Sequence, residues 1–337
     1  MVRTCIEAIE CVGFTTSYRL VNISKDLSTP IWVKIEQNVT GSVYDRVIAH
    51  LIYNKDQIFR EKKILAMNFV GEIRSMNLIA SGDDRSIVIL TTSIESGREN
   101  GLLLSSKGWR IHDLKRKSSL SEMYKFLREA GEKGFHVINL WDNDTSVSVF
   151  GNIAVEILDQ LGCIDYFIAS IFDPSVLVGV AKVLKKECGK AIKAYGIEPS
   201  HISIVSNWYR GIGGGSAFQD PILNFTYDVI PNVLLKNRDT IDGFINVDYP
   251  EVISIWRKLL LMENLNVGYI SSVNVAGARK FIEKGRIASD RVVTLLTDSL
   301  VMYMGTEYFM DQFLSKQMFE SMQVSNTDSS KYSHISR

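Results

Sequence analysis

Tyr44 and Arg46 stand two residues apart in the turn Gly41-Ser42-Val43-Tyr44-Asp45-Arg46. A phenol beside a guanidinium is a candidate general acid or base, because a phenol near its reference pKa of ~10 works at neutral pH only with a cation close by. Asp173 and Asn68 are the candidate substrate contacts for such a group. The other chemistry-bearing residue types give weaker patterns. His50, His112, His136, His201 and His334 include no pair at metal-ligand spacing, so they read as packed or surface side chains and no metal is expected. Asp142-Asn143-Asp144 starts like a calcium loop but lacks the rest of one. Gly211-Ile212-Gly213-Gly214-Gly215 is a glycine-rich loop without the Lys-Ser/Thr of a P-loop. Cys5, Cys11, Cys163 and Cys188 form neither CxxC nor CxxxC and read as reduced, mostly buried thiols.

The frame that must position these residues is an α/β one. Short apolar runs alternate with longer segments of helical period, the pattern of a mainly parallel sheet flanked by helices. Strands are predicted over 31–36, 86–91, 136–140, 166–171, 191–197 and 291–296, and helices over 45–52, 120–130, 151–161, 176–187, 250–264 and 275–284. Ser42 is the expected N-cap of the first helix. At 337 residues and 46% apolar content the chain can bury a large core. Its 38 basic and 38 acidic residues cancel, which gives no electrostatic reason to expect nucleic acid or anionic lipid as a partner. The basic stretch 107–117 reads as a solvated face. The start lacks a basic segment followed by a long apolar run, and no segment reaches ~20 uninterrupted apolar residues, so a soluble cytoplasmic protein is expected. The polar stretch 324–337 reads as a flexible tail.

Along nearly the whole body these segments carry a family likeness. Val12-Gly13-Phe14-Thr15-Thr16 resembles an I-G-N-T-P opening, 31–36 a Y-V-K-L-E strand, and 40–46 a T-G-S-V-K-D-R turn. Residues 151–157 resemble G-N-T-A-x-E-I, 211–215 G-I-G-A-G, 265–274 L-x-V-G-x-S-S-G-A-N, and 293–303 V-x-L-x-D-S-G-x-x-Y. In this order the segments resemble the cysteine synthase (O-acetylserine sulfhydrylase) and cystathionine β-synthase group of fold-type-II pyridoxal phosphate enzymes. The resemblance implies two lobes, each with a mainly parallel sheet flanked by helices: a large lobe from 1–37 plus 143–323 and a small mobile lobe from 38–142. It also implies a homodimer and a role in amino-acid metabolism.

The departures from that pattern matter as much as the likeness. The family's turn lysine forms an imine with the cofactor, and Tyr44 stands in its place; a phenol cannot form one. Lys34 resembles the strand lysine, which does not hold the cofactor in the family. The family's phosphate-binding G-T-G-G-T loop is replaced, at residues 172–176, by Phe-Asp-Pro-Ser-Val. Pro174 has no N–H to give, Phe172 adds bulk, and Asp173 brings negative charge toward the place of a dianion. The loop that grips the substrate carboxylate aligns with 66–70 and keeps only Asn68, itself plausible as a turn residue. Ser299 matches the serine at the pyridine nitrogen, or it caps a following helix. Gly211 and Gly213 keep the backbone that passes over the cofactor ring in relatives.

Three functions stay open at this point. One is a non-catalytic homologue without cofactor, a pseudoenzyme that binds a small ligand, a peptide C-terminus, a partner enzyme or an active paralogue in the old cleft. A second is an enzyme with new, cofactor-independent chemistry built on Tyr44, Asn68 and Asp173. The third is an atypical pyridoxal phosphate enzyme catalysing β-replacement on a serine-derived amino acid.

Overall fold

The computed structural model describes residues 7–54, 63–68, 75–78, 86–91, 110–113, 119–200, 203–213, 218–220, 222–223, 225–285, 287, 291–304, 309 and 313. Among these, the strands are β1 (Ser17–Arg19), β2 (Ile31–Ile35), β3 (Lys63–Asn68), β4 (Ser86–Thr91), β5 (Arg110–Asp113), β6 (His136–Ile138), β7 (Tyr166–Ser170), β8 (Lys193–Pro199), β9 (Phe218–Asp220), β10 (Phe225–Tyr227), β11 (Gly243–Val247) and β12 (Val292–Leu296). The helices are α1 (Asp45–Tyr53), α2 (Leu120–Glu132), α3 (Asp144–Leu161), α4 (Pro174–Cys188), α5 (Ile204–Arg210), α6 (Asn232–Lys236), α7 (Tyr249–Leu261) and α8 (Tyr269–Gly285).

Two sheets organise the chain. The larger has the order β1-β2-β12-β7-β8-β11, parallel except for β1 at its edge; the smaller runs β5-β4-β3-β6 and is parallel throughout. A parallel sheet covered on both faces needs continuously apolar strands. The central β12, Val-Val-Thr-Leu-Leu, is buried at every position. Its neighbour β7 is buried at all but the first residue.

Helices α3 and α4 pack closely because of what α4 lacks: a Cβ on Gly179 would lie 2.4 Å from the backbone oxygen of Val147, so only glycine permits this approach. The buried positions of α3, Val147, Phe150, Ile153, Ala154 and Ile157, recur at helical spacing and face that contact and the sheet.

All six predicted strands and all six predicted helices are present, 86–91 with the predicted bounds and the others with shifted ends. The largest shift is at α3, which begins seven residues before Gly151. Asn143 caps it, its side chain accepting the Ser146 N–H at 2.8 Å. Ser42 is not the cap of α1. Tyr44 occupies that position, and the Ser42 hydroxyl instead accepts the Tyr44 N–H at 3.2 Å. The tail 324–337 lies outside the described residues. No helix among the described residues is long and apolar enough to cross a membrane.

The cysteines correct the expectation of reduced thiols. Cys163, just past α3, and Cys188, the last residue of α4, are joined in a disulfide, and Cys11 is disulfide-bonded as well. Linear spacing gave no hint of this, because the pairing depends on where the two helices end. The Cys163–Cys188 bridge closes 25 residues of chain, and a closed loop of this size stabilises by about 3 kcal/mol. Unreduced, denatured protein is therefore expected to leave both cysteines unlabelled by iodoacetamide. The double variant Cys163→Ser/Cys188→Ser is expected to lose about 3 kcal/mol in urea unfolding.

Candidate functional site

The candidate residues meet where the chain leaves the C-terminal ends of β2, β7 and β12, the place where an open parallel sheet presents its loops. After β2 the chain turns through Gly41, at φ +84°, where a Cβ would meet the Ser299 side chain at 2.9 Å. The Asp45 carboxylate clamps this turn by accepting the Thr40 N–H at 2.7 Å and its hydroxyl at 2.6 Å. Ser42 pairs with Asp298 in an isolated antiparallel bridge, and the Val43 N–H donates to the Thr297 carbonyl. These contacts fix Tyr44 so that its side chain points inward, 2% exposed, with its ring edge-on to Phe150 at 5.7 Å.

The Tyr44 hydroxyl donates to Asp173 Oδ1 at 2.8 Å. Asp173 is the N-cap of α4 but makes no side-chain cap bond, and Pro174 follows at the first helical position, where its missing N–H costs nothing. Phe172 is buried: its carbonyl accepts the Trp141 indole N–H, and its ring packs on Tyr227 at 5.4 Å and Tyr269 at 6.2 Å. Burial pushes the Asp173 carboxyl up to about 7, against the opposing hydrogen bond from Tyr44 and with the help of the nearby Asp298 charge.

Two further buried acids repeat the arrangement. Asp298 follows β12 and caps α8: its carboxylate accepts the Ile270 N–H at 3.0 Å, the Ser271 N–H at 2.8 Å and the Tyr303 hydroxyl at 2.6 Å. Asp220, at the end of β9, accepts the Tyr269 hydroxyl at 3.0 Å and the N–H groups of Ile222 and Leu223. Burial raises both, Asp220 to about 6. Asp220, Asp298, Tyr269 and Tyr303 were not singled out in the sequence. An Asp just past an apolar strand was the available signal, and its pairing with a distant tyrosine was not.

Arg46 does not face Tyr44. Its guanidinium lies between Glu36, at 2.6 and 2.8 Å, and Glu156, at 2.7 Å. Lys34, with none of its side chain exposed, completes the cluster with a 2.8 Å ion pair to Glu156. Burial works against the Glu156 charge, but Arg46 and Lys34 outweigh it and hold the carboxyl at about 2. The cation that a catalytic Tyr44 would need is thus turned away, and Lys34 is committed to an acid.

The remaining predicted residues lie apart from this contact or serve the backbone. Ser299 caps the short turn Leu300–Met302, accepting the Val301 N–H at 3.4 Å. Gly211 ends α5 in the left-handed conformation, and Gly213 is exposed two residues on. Asn68 is the last residue of β3, opposite Thr91; residues 69–74 after it lie outside the described residues, as do Gly214 and Gly215.

Comparison with known proteins places this geometry in a family. The model of the pyridoxal-phosphate dependent enzymes matches residues 9–298. A cysteine synthase from Staphylococcus aureus is 25% identical over 313 residues, spanning 89% of this chain and 96% of that protein. Cysteine synthase A from Escherichia coli is 29% identical over 164 residues, 48% of this chain and 49% of that protein. The crystal structure of O-acetylserine dependent cystathionine beta-synthase from Helicobacter pylori matches with a TM-score of 0.73 at 22% identity, covering 90% of this chain and 98% of that one. O-acetyl serine sulfhydrylase isoform 3 from Entamoeba histolytica gives 0.71 at 18% identity, covering 95% and 96%. At these identities the two structures establish the fold.

The ion cluster generates a stability prediction. Arg46→Ala leaves Glu36, wholly buried, beside no guanidinium, and breaking a buried pair from one side costs roughly 3–5 kcal/mol. Urea unfolding at pH 7 measures the loss. Tyr44→Phe, which removes one hydroxyl beside a carboxyl that burial already favours as neutral, is expected to cost less than half as much.

Proposed function

This chain belongs to the pyridoxal-phosphate dependent enzyme family, and within it we propose a member that works without the cofactor and without catalysis, by binding. The observation that carries the reading is the buried 2.8 Å hydrogen bond from Tyr44 to Asp173. It joins the two positions that, by resemblance, supply the imine lysine and the phosphate loop, and it closes one upon the other.

The residues present do not fit pyridoxal phosphate. Tyr44 offers no amine, and Lys34 is held by Glu156. A phosphate needs several backbone N–H groups aimed at it from a loop that lets the chain approach. Here Pro174 contributes none, and the Phe172 ring is packed among Tyr227 and Tyr269. An Asp173 carboxyl in this setting repels a dianion when ionised. The same observations weigh against new acid–base chemistry on Tyr44, since Arg46 serves Glu36 and Glu156 instead.

The binding role extends the proposal to partners. A homodimer is the expected assembly, and the partner class is a lysine-bearing relative, a second enzyme or a peptide C-terminus; a mass of two chains in solution supports the dimer. For the compartment, the Cys163–Cys188 disulfide weighs toward an oxidising environment, against the cytoplasm expected from the sequence.

The test is spectroscopic. Purified protein incubated with pyridoxal phosphate and dialysed is expected to show no band at ~410–430 nm, where an imine of the cofactor absorbs and protein groups do not. Tyr44→Lys is expected to remain equally colourless, because the amine alone does not rebuild the phosphate cradle. A stable band in the unaltered protein, together with turnover of a serine derivative, overturns the reading.

A further inference from the structure

Helix α1 has a second face. Tyr44 reaches Asp173 on one side, whereas Arg46, Ala49, His50 and Tyr53 recur at helical spacing on the other. On α3, Asn152, Val155, Glu156 and Asp159 repeat the same interval. These two stripes and the chain from Ile9 to Phe14 line one open cavity of about 530 Å³, a size that suits a small organic ligand. Ala49 and Val149, each 5% exposed, give it an apolar floor.

One end of this cavity is clamped. The Glu156 carboxylate accepts the Phe14 and Thr15 N–H groups at 3.0 Å each, as well as Arg46 and Lys34. Gly13, at φ +89°, passes so close that a Cβ there would lie 3.1 Å from the Arg46 guanidinium. The clamp holds Phe14 in the left-handed region, φ +53°, unusual for a bulky residue, and leaves its side chain 75% exposed. Tyr53 adds a second exposed ring at the end of α1. Arg46 is matched by Glu36 and Glu156, so the two remaining acids of the lining, Glu10 and Asp159, give the cavity its negative sign.

We propose that this cavity binds a small organic ammonium with an aromatic body, of the arylalkylamine class. The apolar floor receives the ring system, and the Phe14 and Tyr53 faces together with the Glu10 and Asp159 carboxylates favour the cation. An amino acid with the same body is rejected, because the carboxylate beside its ammonium falls against the same two acids. The proposal rests on the reading that this protein works by binding, and it gives that role a place. The cleft at the strand ends is filled by Tyr44 and Phe172, and the open volume lies across α1 from it.

Isothermal titration calorimetry on the full chain at pH 8 tests this with three indoles that share one body: tryptamine, tryptophol and L-tryptophan. Tryptamine is expected to bind with a dissociation constant below ~1 mM, and the neutral and zwitterionic analogues at least about tenfold more weakly. Asp159→Asn is expected to weaken tryptamine about fivefold. Asn152→Trp places bulk at an exposed position of α3, where the fold tolerates it, and is expected to obstruct the cavity and weaken binding at least about tenfold. Circular dichroism verifies that both variants fold. No binding of tryptamine at ~5 mM, equal affinity for L-tryptophan, or an affinity indifferent to both substitutions overturns the proposal. The two readings fail separately: a cofactor band at ~410–430 nm overturns the cofactor-free reading and leaves the tryptamine isotherm standing, whereas a missing isotherm removes only this site.

Discussion

A carboxyl shut away from water needs a cation beside it or enough hydrogen-bond donors around it, and this chain uses both within a few residues of each other. Glu36 and Glu156 are held charged by Arg46 and Lys34. Asp173, Asp220 and Asp298 are met by phenols and backbone N–H groups, which satisfy hydrogen bonds without supplying charge. The difference is set by the geometry of one helix start. Successive helical residues turn by about 100°, so Tyr44 and Arg46 point roughly 200° apart. One enters the cleft and the other the opposite face, against α3. The guanidinium beside Tyr44 in the sequence is therefore remote from it in the chemistry.

Burial also explains why the fold tolerates such a site. The residues around Asp173 are not spare polar groups in an open cleft but part of the core: Phe172 packs on Tyr227 and Tyr269, and Tyr269 and Tyr303 pack on Trp256. Asp298 holds the start of α8 with both its oxygens. The strand ends here face one another, Ser42 pairing with Asp298 and Tyr44 reaching Asp173. The sheet beneath is closely packed, since β12 is buried at every position, β7 at all but its first, and α3 meets α4 through Gly179.

What was legible in the sequence follows from the range of the forces involved. The helices and the longer strands rest on local periodicity, and they appear where periodicity put them. Their ends rest on caps that compete: Asn143 rather than a later residue starts α3, and Tyr44 rather than Ser42 precedes α1. The strands β1, β3, β5, β9, β10 and β11 were missed; four of them are only three or four residues long, too short for a periodic signal. Tyr44 and Asp173 were visible as departures from a pattern, but their hydrogen bond spans 129 residues and no spacing rule predicts it. The Cys163–Cys188 bridge was misread for the same reason, because pairing depends on where two helices end and not on the interval between cysteines.

At this site the Asp173 carboxyl is buried and a phenol, not a cation, donates to it. A phenol satisfies the hydrogen bond and leaves a charge there uncompensated, so burial raises the Asp173 carboxyl.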